Sequence, residues 1–444
     1  METKNDFSKG SVVKNIWGLA VPMTVAQLVN VLYSVVDRVY IGHLPNASTE
    51  ALTGIGLALP VITMITAFSN LFGMGGAPLC SIARGAGEVK RAEKIMGNSF
   101  TLLLITGVIL MAFCYLTMRP MLYLFGASDQ TYPYAQAYLF VYLAGTLFVM
   151  VSLGMNNFIN AQGFGKMGML TVLIGAVLNI VLDPIFIFIF HMGVYGAAAA
   201  TVISQGVSAV YVFCFLRGDH VLFRLNRKDM KLDGKLVREI TGLGLSGFVM
   251  SVTNGSVQIV CNAMLSRYGG DLYVGVMTVI NSVREIITMP VNGLTNGAQP
   301  VIGFNYGAGE YERVKKAIRF MGTSCVIFTC AVWALCCRSA VFIHLFNSEP
   351  ELLEAGVGAF RIYFFRNLPD DAAVYGPVHL CGPWEIQTGS LLFPPSESHH
   401  RHSSDDLSSD DRRTWRQRRL PGGTDLQPDR RPGLLHHHAP HRVP

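Results

Sequence analysis

Two acidic side chains stand in segments that are otherwise apolar enough to cross a membrane. The first is Asp183, which lies within Asn179-Ile-Val-Leu-Asp183-Pro184, and apolar residues continue beyond it to Phe190. Asn179 precedes Asp183 by four residues and so shares its helical face. An ionised carboxylate in mid-span costs about 2.5–3.5 kcal/mol on insertion scales, so it should face a cavity, a partner or a cation. The alternative is an interfacial Asp that starts a loop.

The second acid is Asp37, with Tyr33 four residues earlier on the same face. Arg38 adjoins it near the end of its span, so an interfacial charge pair is as compatible with the sequence as a site. Two carboxylates could share a proton or hold a sodium ion together with Asn and Thr oxygens, which hard cations prefer. Thr201 is a possible further oxygen ligand. The chemistry predicted is therefore reversible cation binding.

Enzymatic and nucleotide chemistry have no comparable support. The glycine clusters around Gly75 and Gly85 lack a following Lys-Ser/Thr, so they indicate close packing and a turn and do not indicate a phosphate loop. No nucleophile, base and orienting residue occur together. The nine cysteines lie mostly in apolar segments without zinc-type spacing. The sequence predicts no enzyme, no catalytic residue and no cofactor.

The elements that must position the two acids are membrane spans. Of the 444 residues, 51% are hydrophobic and only 14% are charged. Up to Phe365 the chain consists of apolar stretches of the length that a helix needs to cross a bilayer, about 20 residues. The pattern predicts nine spans and a tenth that begins near Leu352; the nine lie near residues 15–41, 51–77, 96–118, 133–157, 167–190, 195–216, 238–265, 272–298 and 317–346.

Basic residues orient these spans. Lysines precede the first span, and Lys and Arg recur after each even-numbered span, whereas the alternate loops are nearly free of them. By the positive-inside bias, the N-terminus and every even-numbered exit are cytoplasmic, in a multi-pass protein of the cell (inner) membrane. The net charge of +6 is explained by these loops and not by nucleic acid binding.

An internal repeat sets the architecture. Gly85-Ala-Gly-Glu88 recurs as Gly307-Ala-Gly-Glu310, an offset of 222 (307 − 85), and upstream matches such as Gly18 with Gly242 slip by two residues (242 − 18 = 224). One unit contains six spans. Because six is even, both units enter the membrane from the same side, which makes a parallel repeat. The predicted fold class is an all-α polytopic membrane protein with two pseudo-symmetric six-helix lobes, the second incomplete in this chain.

The character of the chain changes at Arg366. Eight of the twelve histidines fall in the last 78 residues (444 − 366), and no apolar span occurs there, although the repeat requires two more. We interpret this tail as a frameshift; a genuine disordered cytoplasmic tail is the alternative. The predicted domains are an N-lobe of six spans at 1–217, a basic cytoplasmic linker at 218–237, a partial C-lobe of about three and a half helices at 238–365, and an aberrant polar tail at 366–444.

Several blocks in the first 365 residues resemble the MATE (multidrug and toxic compound extrusion) transporters. They are Val36-Asp37-Arg38-Val-Tyr40-Ile-Gly42, Asn156-Asn157-Phe-Ile-Asn160-Ala-Gln162-Gly163, Ile174-Gly175-Ala-Val-Leu-Asn179-Ile-Val-Leu-Asp183-Pro184 and the paired Gly-Ala-Gly-Glu loops. The resemblance implies two lobes that rock around a central cleft. It also implies that amphipathic, often cationic compounds are exported in exchange for Na⁺ or H⁺.

The resemblance also assigns residues. In the branch of the family with an acidic N-lobe site, the cation-binding positions match Asp37, Asn179, Asp183 and Thr201, and substrate-cavity positions match Tyr33 and Asn156. The expected partners are small-molecule substrates and membrane lipids, with the protein acting as a monomer. Two other functions stay open: a lipid-linked oligosaccharide flippase of the same superfamily, and a non-functional truncated membrane fragment.

Overall fold

The computed structural model describes residues 6–42 and 48–336, which all belong to one compact unit. Predictions for the remainder of the ninth span, the tenth span and the tail at 366–444 lie outside the described residues. Every regular element in the described ranges is helical, as the sequence predicts. The described residues form nine α-helices: α1 (Val12–Gly42), α2 (Ser48–Gly85), α3 (Val89–Leu124), α4 (Tyr132–Ala144), α5 (Thr146–Ala161), α6 (Gly165–Pro184), α7 (Gly193–Arg217), α8 (Gly234–Gly307) and α9 (Tyr311–Cys336).

Helices α1 to α7 form the first half. Five of the described helices are long and apolar enough to cross a membrane, and α4 with α5 makes a sixth span if the bent pair is counted as one. The pair is bent by 58° at Gly145, where a Cβ would meet the side chain of Val202 on α7. A π-helical turn, Ile185–Ile189, extends α6 beyond Pro184.

A linker joins the halves on the surface of α3. A 3₁₀ turn at Arg227–Met230 is held by Asn98, whose amide donates to the carbonyls of Asp229 (3.4 Å) and Lys231 (3.2 Å). The same side chain accepts from the backbone N–H of Asp233 (2.8 Å), and Asp233 caps α8. Helix α8 therefore begins at Gly234, inside the region 218–237 that the sequence assigned to the linker.

The two ends of α8 lie against the same part of α2. A Cβ on Gly75 would meet the carbonyl oxygen of Ile240, and a Cβ on Gly85 would meet that of Phe304. A straight helix would separate residues 240 and 304 by about 96 Å at 1.5 Å per residue, whereas Gly75 and Gly85 are ten residues apart on α2. Helix α8 therefore folds back on itself, and helical turns continue through the bend.

The bend in α8 lies between Gly255, which faces Thr63, and Gly293, which packs on Thr24. This interval contains residues 266–271, where the sequence predicts a turn between two spans. The structure has one bent helix there and not two separate ones. The sequence at 266–271 carries glycine but no proline, so nothing in it removes a helical hydrogen bond.

The paired Gly-Ala-Gly-Glu segments form the same turn. After α2, Gly87 has φ +77° and the N–H of Glu88 bonds the carbonyl of Ala83 (2.8 Å). After α8, Gly309 has φ +76° and the N–H of Glu310 bonds the carbonyl of Asn305 (2.9 Å). A positive φ at this position is the usual glycine-terminated end of a helix. We call the end of the bundle that carries both turns the loop end.

Contacts between the halves are reciprocal. A Cβ on Gly85 would meet the carbonyl oxygen of Phe304, and a Cβ on Gly307 would meet that of Ile82, with both pairs related by the offset of 222 (304 − 82). Likewise Gly75 packs on Gly244, and Gly297 packs on Ala20 (244 − 20 = 224). Contacts repeated in both directions are those of two-fold related surfaces. The two pseudo-symmetric halves predicted from the repeat are confirmed.

Candidate functional site: a buried carboxylate, amide and hydroxyl cluster

Helix α6 presents Asn179 and Asp183 on one face, as their spacing of four residues requires. Both side chains are buried, with exposed fractions of 2% and 0%. The segment around them is apolar because it lies among spans, so the two polar side chains turn inward, toward α7. The π-helical turn that follows Pro184 is the kind of irregularity that often accompanies functional sites in helices.

The amide of Asn179 links Asp183 to Thr201 on α7. Its Nδ2 donates to Oδ1 of Asp183 (3.2 Å) and to Oγ1 of Thr201 (3.3 Å), and the Thr201 hydroxyl donates to the carbonyl of Ala197 (3.0 Å). Two buried oxygens of this cluster, Oδ1 of Asn179 and Oδ2 of Asp183, find no hydrogen-bond partner among the described residues. Buried acceptors of this kind require a donor or a cation.

Helix α1 brings Asp37 and Tyr33 to the same region. The carboxylates of Asp37 and Asp183 lie close enough to interact electrostatically, and the phenol of Tyr33 interacts with both. The structure therefore brings together Tyr33, Asp37, Asn179, Asp183 and Thr201, five of the six predicted site residues. Two carboxylates that share a small region repel each other unless a proton or a metal cation lies between them.

A small cleft of about 30 Å³ opens beside the cluster. Tyr33, Asn179 and Thr201 line it, together with polar residues that the sequence analysis did not single out: Asn30, Ser152, Ser204, Gln205 and Ser208. The last three follow Thr201 at spacings of three, four and seven residues, so a search for a polar stripe on α7 would have found them. The sixth predicted residue, Asn156, is not in this lining; its amide donates to the carbonyl of Gly168 (3.3 Å).

Tyr138 on α4 was also missed. It is buried, stacks on Tyr142 with a centroid distance of 5.9 Å, and interacts electrostatically with Asp37. Its position in an apolar segment gives no distinct signal, because an aromatic residue in a span is usually part of the packing. Among the described residues no group of three or more His, Cys, Asp or Glu side chains could hold a metal. The cluster therefore depends on amide and hydroxyl oxygens as well as carboxylates.

A helical bundle of two repeat-related halves, with ionisable groups buried in one of them, defines a polytopic membrane transporter. The sequence matches the family model described as MatE over residues 22–185 and 248–370, more than half of the chain, and the chain belongs to the MatE family. As a transporter of this family it is not an enzyme. The resemblance read from the sequence is confirmed.

Relatives with established names cover most of the chain. The multidrug export protein MepA of Staphylococcus haemolyticus is 27% identical over 350 residues, which are 78% of this chain and 76% of that protein. The protein of the same name from Staphylococcus saprophyticus is 30% identical over 365 residues, 80% of this chain and 78% of that protein.

Solved structures share the fold. One, described as the outward-facing conformation of a multidrug resistance MATE family transporter of the MOP superfamily, superposes with a TM-score of 0.77 at 23% identity, over 87% of this chain and 86% of that one. Another, a MATE structure in the bent conformation, superposes with a TM-score of 0.78 at 23% identity, over 86% of this chain and 84% of that one.

Proposed function

We propose that the chain is a multidrug efflux transporter that exports amphipathic, often cationic compounds in exchange for Na⁺ or H⁺. The observation that carries the proposal is the cluster of Asp183, Asn179 and Thr201. Two of its buried oxygens find no partner in the part of the chain that the structure describes, and they suit a small hard cation. The names of the relatives, multidrug export proteins, support the export of diverse compounds.

In this proposal Asp37 and Asp183 exchange the coupling ion. With the ion bound, the repulsion between the two carboxylates is removed; without it, a cationic substrate in the adjacent cleft takes over part of the same role. An ion or a substrate shifts the lobe equilibrium only by its difference in affinity between the two conformations. If the ion bound one lobe conformation more tightly and the substrate bound the other more tightly, the protein would exchange ion for substrate across the membrane by alternating access.

The proposal includes an orientation. The basic residues near the loop end, such as Arg84, Lys90 and Lys316, favour the cytoplasmic side of the cell membrane for this end. The N-terminal segment meets the same end, since Phe7 contacts Arg84 there. Asp183 and the site cleft belong to the first half, so substrate and ion would meet within one lobe.

A lipid-linked oligosaccharide flippase is the competing transport function. Such a substrate carries a pyrophosphate, which basic side chains would have to neutralise. The cleft at the site lies beside two carboxylates, which repel an anion and attract a cation. The charge of the cleft thus favours the export of cationic compounds.

The test is ion-driven transport in proteoliposomes. The protein is reconstituted, a fluorescent organic cation is supplied, and Na⁺ and pH gradients are imposed one at a time. Asp183→Asn keeps the size of the side chain and one acceptor oxygen but removes its charge, so gradient-driven transport of the dye should fall at least about tenfold, the effect of losing roughly 1.4 kcal/mol of ion binding.

Asp219→Asn is the matched control, because Asp219 is an exposed carboxylate that pairs with Arg224 in a surface loop. It should transport at the wild-type rate. Retention of gradient-driven transport by Asp183→Asn would contradict the assignment of Asp183 as an ion-binding residue. If the rate of dye transport by the wild-type protein did not change with either the Na⁺ or the pH gradient, cation coupling as a whole would be contradicted.

A further inference from the structure

Arg313, at the start of α9 in the second half, forms hydrogen bonds with the segment that precedes α1 in the first half. Its guanidinium donates to the backbone carbonyls of Phe7 (2.8 Å), Gly10 (3.1 Å) and Lys9 (3.3 Å). Its Nε also donates to Oδ1 of Asn305 (2.9 Å), which fixes the plane of the group. Arg313, which is half-buried, thus donates most of its hydrogen bonds to the segment before α1 in the opposite half. Hydrogen bonds from a charged donor are among the stronger hydrogen bonds in proteins.

Arg91, at the start of α3, makes the corresponding contact from the other side. It is the repeat equivalent of Arg313 (313 − 91 = 222). Its guanidinium pairs with Glu88 (3.2 Å) in its own half and with Glu239 (3.3 Å) near the start of α8 in the other. Each half therefore uses the same repeat position to hold the beginning of the opposite half.

The segment held by Arg313 is itself ordered by contacts to both halves. Phe7 is 5% exposed and meets the ring of Phe304 edge-on, with centroids 5.7 Å apart. The guanidinium of Arg84 lies over both rings, 5.0 Å and 4.8 Å from their centroids. Ser8 donates to Asp6 (2.5 Å), and this bond lowers the pKa of Asp6, so the turn keeps its ionised acceptor at neutral pH.

These contacts all lie at the loop end, where the helices also approach each other closely. Backbone meets backbone at Gly85 and Phe304 and again at Gly307 and Ile82. A movement that separated the halves at this end would have to break the bonds of Arg313 to the N-terminal segment and the pair between Arg91 and Glu239.

We infer that Arg313 and Arg91 form two repeat-related clasps that hold the loop end closed, and that opening of this end requires both to break. The Arg313 clasp is the stronger, because Arg313 donates to three acceptors in the opposite half, whereas Arg91 pairs with one carboxylate there. The idea that this end opens during transport rests on the proposed function. The existence of the clasps does not depend on that function.

The test measures the separation of the halves directly. Lys94 and Lys316 are exposed, related by the repeat (316 − 94 = 222), and lie near the loop end on opposite halves. In a background without the nine cysteines, spin labels at these two positions in the full chain, in lipid nanodiscs, give a distance distribution by pulsed electron resonance. Arg313→Gln should raise the ratio of long to short distances about tenfold, as expected from losing hydrogen bonds to a charged group.

Lys315→Gln is the control, because it removes one positive charge from the same turn while breaking only a pair with Glu312 inside α9. Its distance distribution should match the wild type. Glu239→Gln replaces a partly buried carboxylate by an amide of the same size; it tests the Arg91 clasp and should open the end less than Arg313→Gln does. Unchanged distances in both clasp variants would overturn the inference, even if ion-driven transport proved correct, and altered distances in a chain without transport would support it.

Discussion

At the scale of single residues, the Asn179 amide decides what the site can bind. Both of its N–H groups are used, one by Asp183 and one by Thr201, so its own oxygen is left as an acceptor. The Thr201 hydroxyl in turn gives its hydrogen to Ala197. The donors of the cluster therefore point at protein atoms, and oxygen lone pairs remain for a cation.

Substitution of Thr201 by Val tests this arrangement. The change keeps the shape of the side chain and removes one hydrogen-bond acceptor, the hydroxyl oxygen that we propose as an ion ligand. We expect Na⁺ binding to the purified protein, measured by calorimetry, to weaken about tenfold, since one such interaction is worth about 1–1.5 kcal/mol. Thr171→Val is the control: Thr171 is also buried, but its hydroxyl bonds Met167 within α6. Equal Na⁺ affinity in the two variants would show that Thr201 is not a ligand.

The sequence predicted the residues of the cluster unevenly. Asn179 and Asp183 could be paired because four residues along a helix define one face. Thr201, on the next helix, was only a possible ligand until the family resemblance assigned it. Tyr138 could not be found, because its approach to Asp37 depends on how α4 packs against α2 and α7, and an aromatic side chain in an apolar span gives no signal of that packing.

At the scale of elements, close helix packing depends on residues without a side chain. Helices in a membrane gain little from burying apolar surface against each other, so small residues that allow backbone approach become important. Gly85 and Gly307 place α2 and α8 in mutual backbone contact at the loop end. The sequence showed these glycines as a repeated motif, but it could not show that each one packs on the other half.

Gly307→Ala should destabilise this contact. The new Cβ would meet the carbonyl oxygen of Ile82, a backbone atom that cannot rotate away, so the helices must separate slightly. Overpacking of this kind costs about 1–3 kcal/mol, and the melting temperature in detergent should fall by several degrees. Gly242→Ala, on the same helix but with no atom within 4 Å of its Cβ, should leave the melting temperature unchanged or raise it. Similar melting temperatures for the two variants would contradict the packing argument.

Helix boundaries were less predictable than helix existence. The bend of 58° between α4 and α5 occurs at one glycine in a continuous apolar stretch, and composition cannot distinguish it from a straight helix. The bend in α8 was expected as a turn between two helices, yet its residues keep helical hydrogen bonding. In both places the contacts of neighbouring helices set the direction of the chain, and local sequence does not.

At the scale of the whole molecule, the repeat had the greatest predictive value. The offset of 222 relates the two turns, the reciprocal glycine contacts and the two arginine clasps. A two-fold related assembly needs matching elements in both halves. The first half continues through α4 to α7 after α3, the segment that matches α9, and the family match ends at residue 370. We therefore propose that residues 366–444 are read out of frame.

Sequencing the DNA through codons 355 to 385 tests this proposal first. If the DNA proves to have one base more or one base fewer than the sequence that encodes this chain, the corrected reading frame should encode apolar spans in the positions that the repeat requires. A protein expressed from the restored frame should then export a fluorescent organic cation from cells at least about tenfold faster than the chain of 444 residues, because only a complete second half can close against the first through its own helices.

The control for that comparison is Asp183→Asn in the restored protein. It leaves the second half intact and removes the carboxylate of the candidate ion site, so it should lose gradient-driven export while remaining folded, as judged by its melting temperature. This variant separates the two requirements for transport, a complete pair of lobes and an ion site in the first. An unchanged DNA sequence, together with full export by the chain of 444 residues, would show that the tail belongs to the protein and that transport does not need the missing spans.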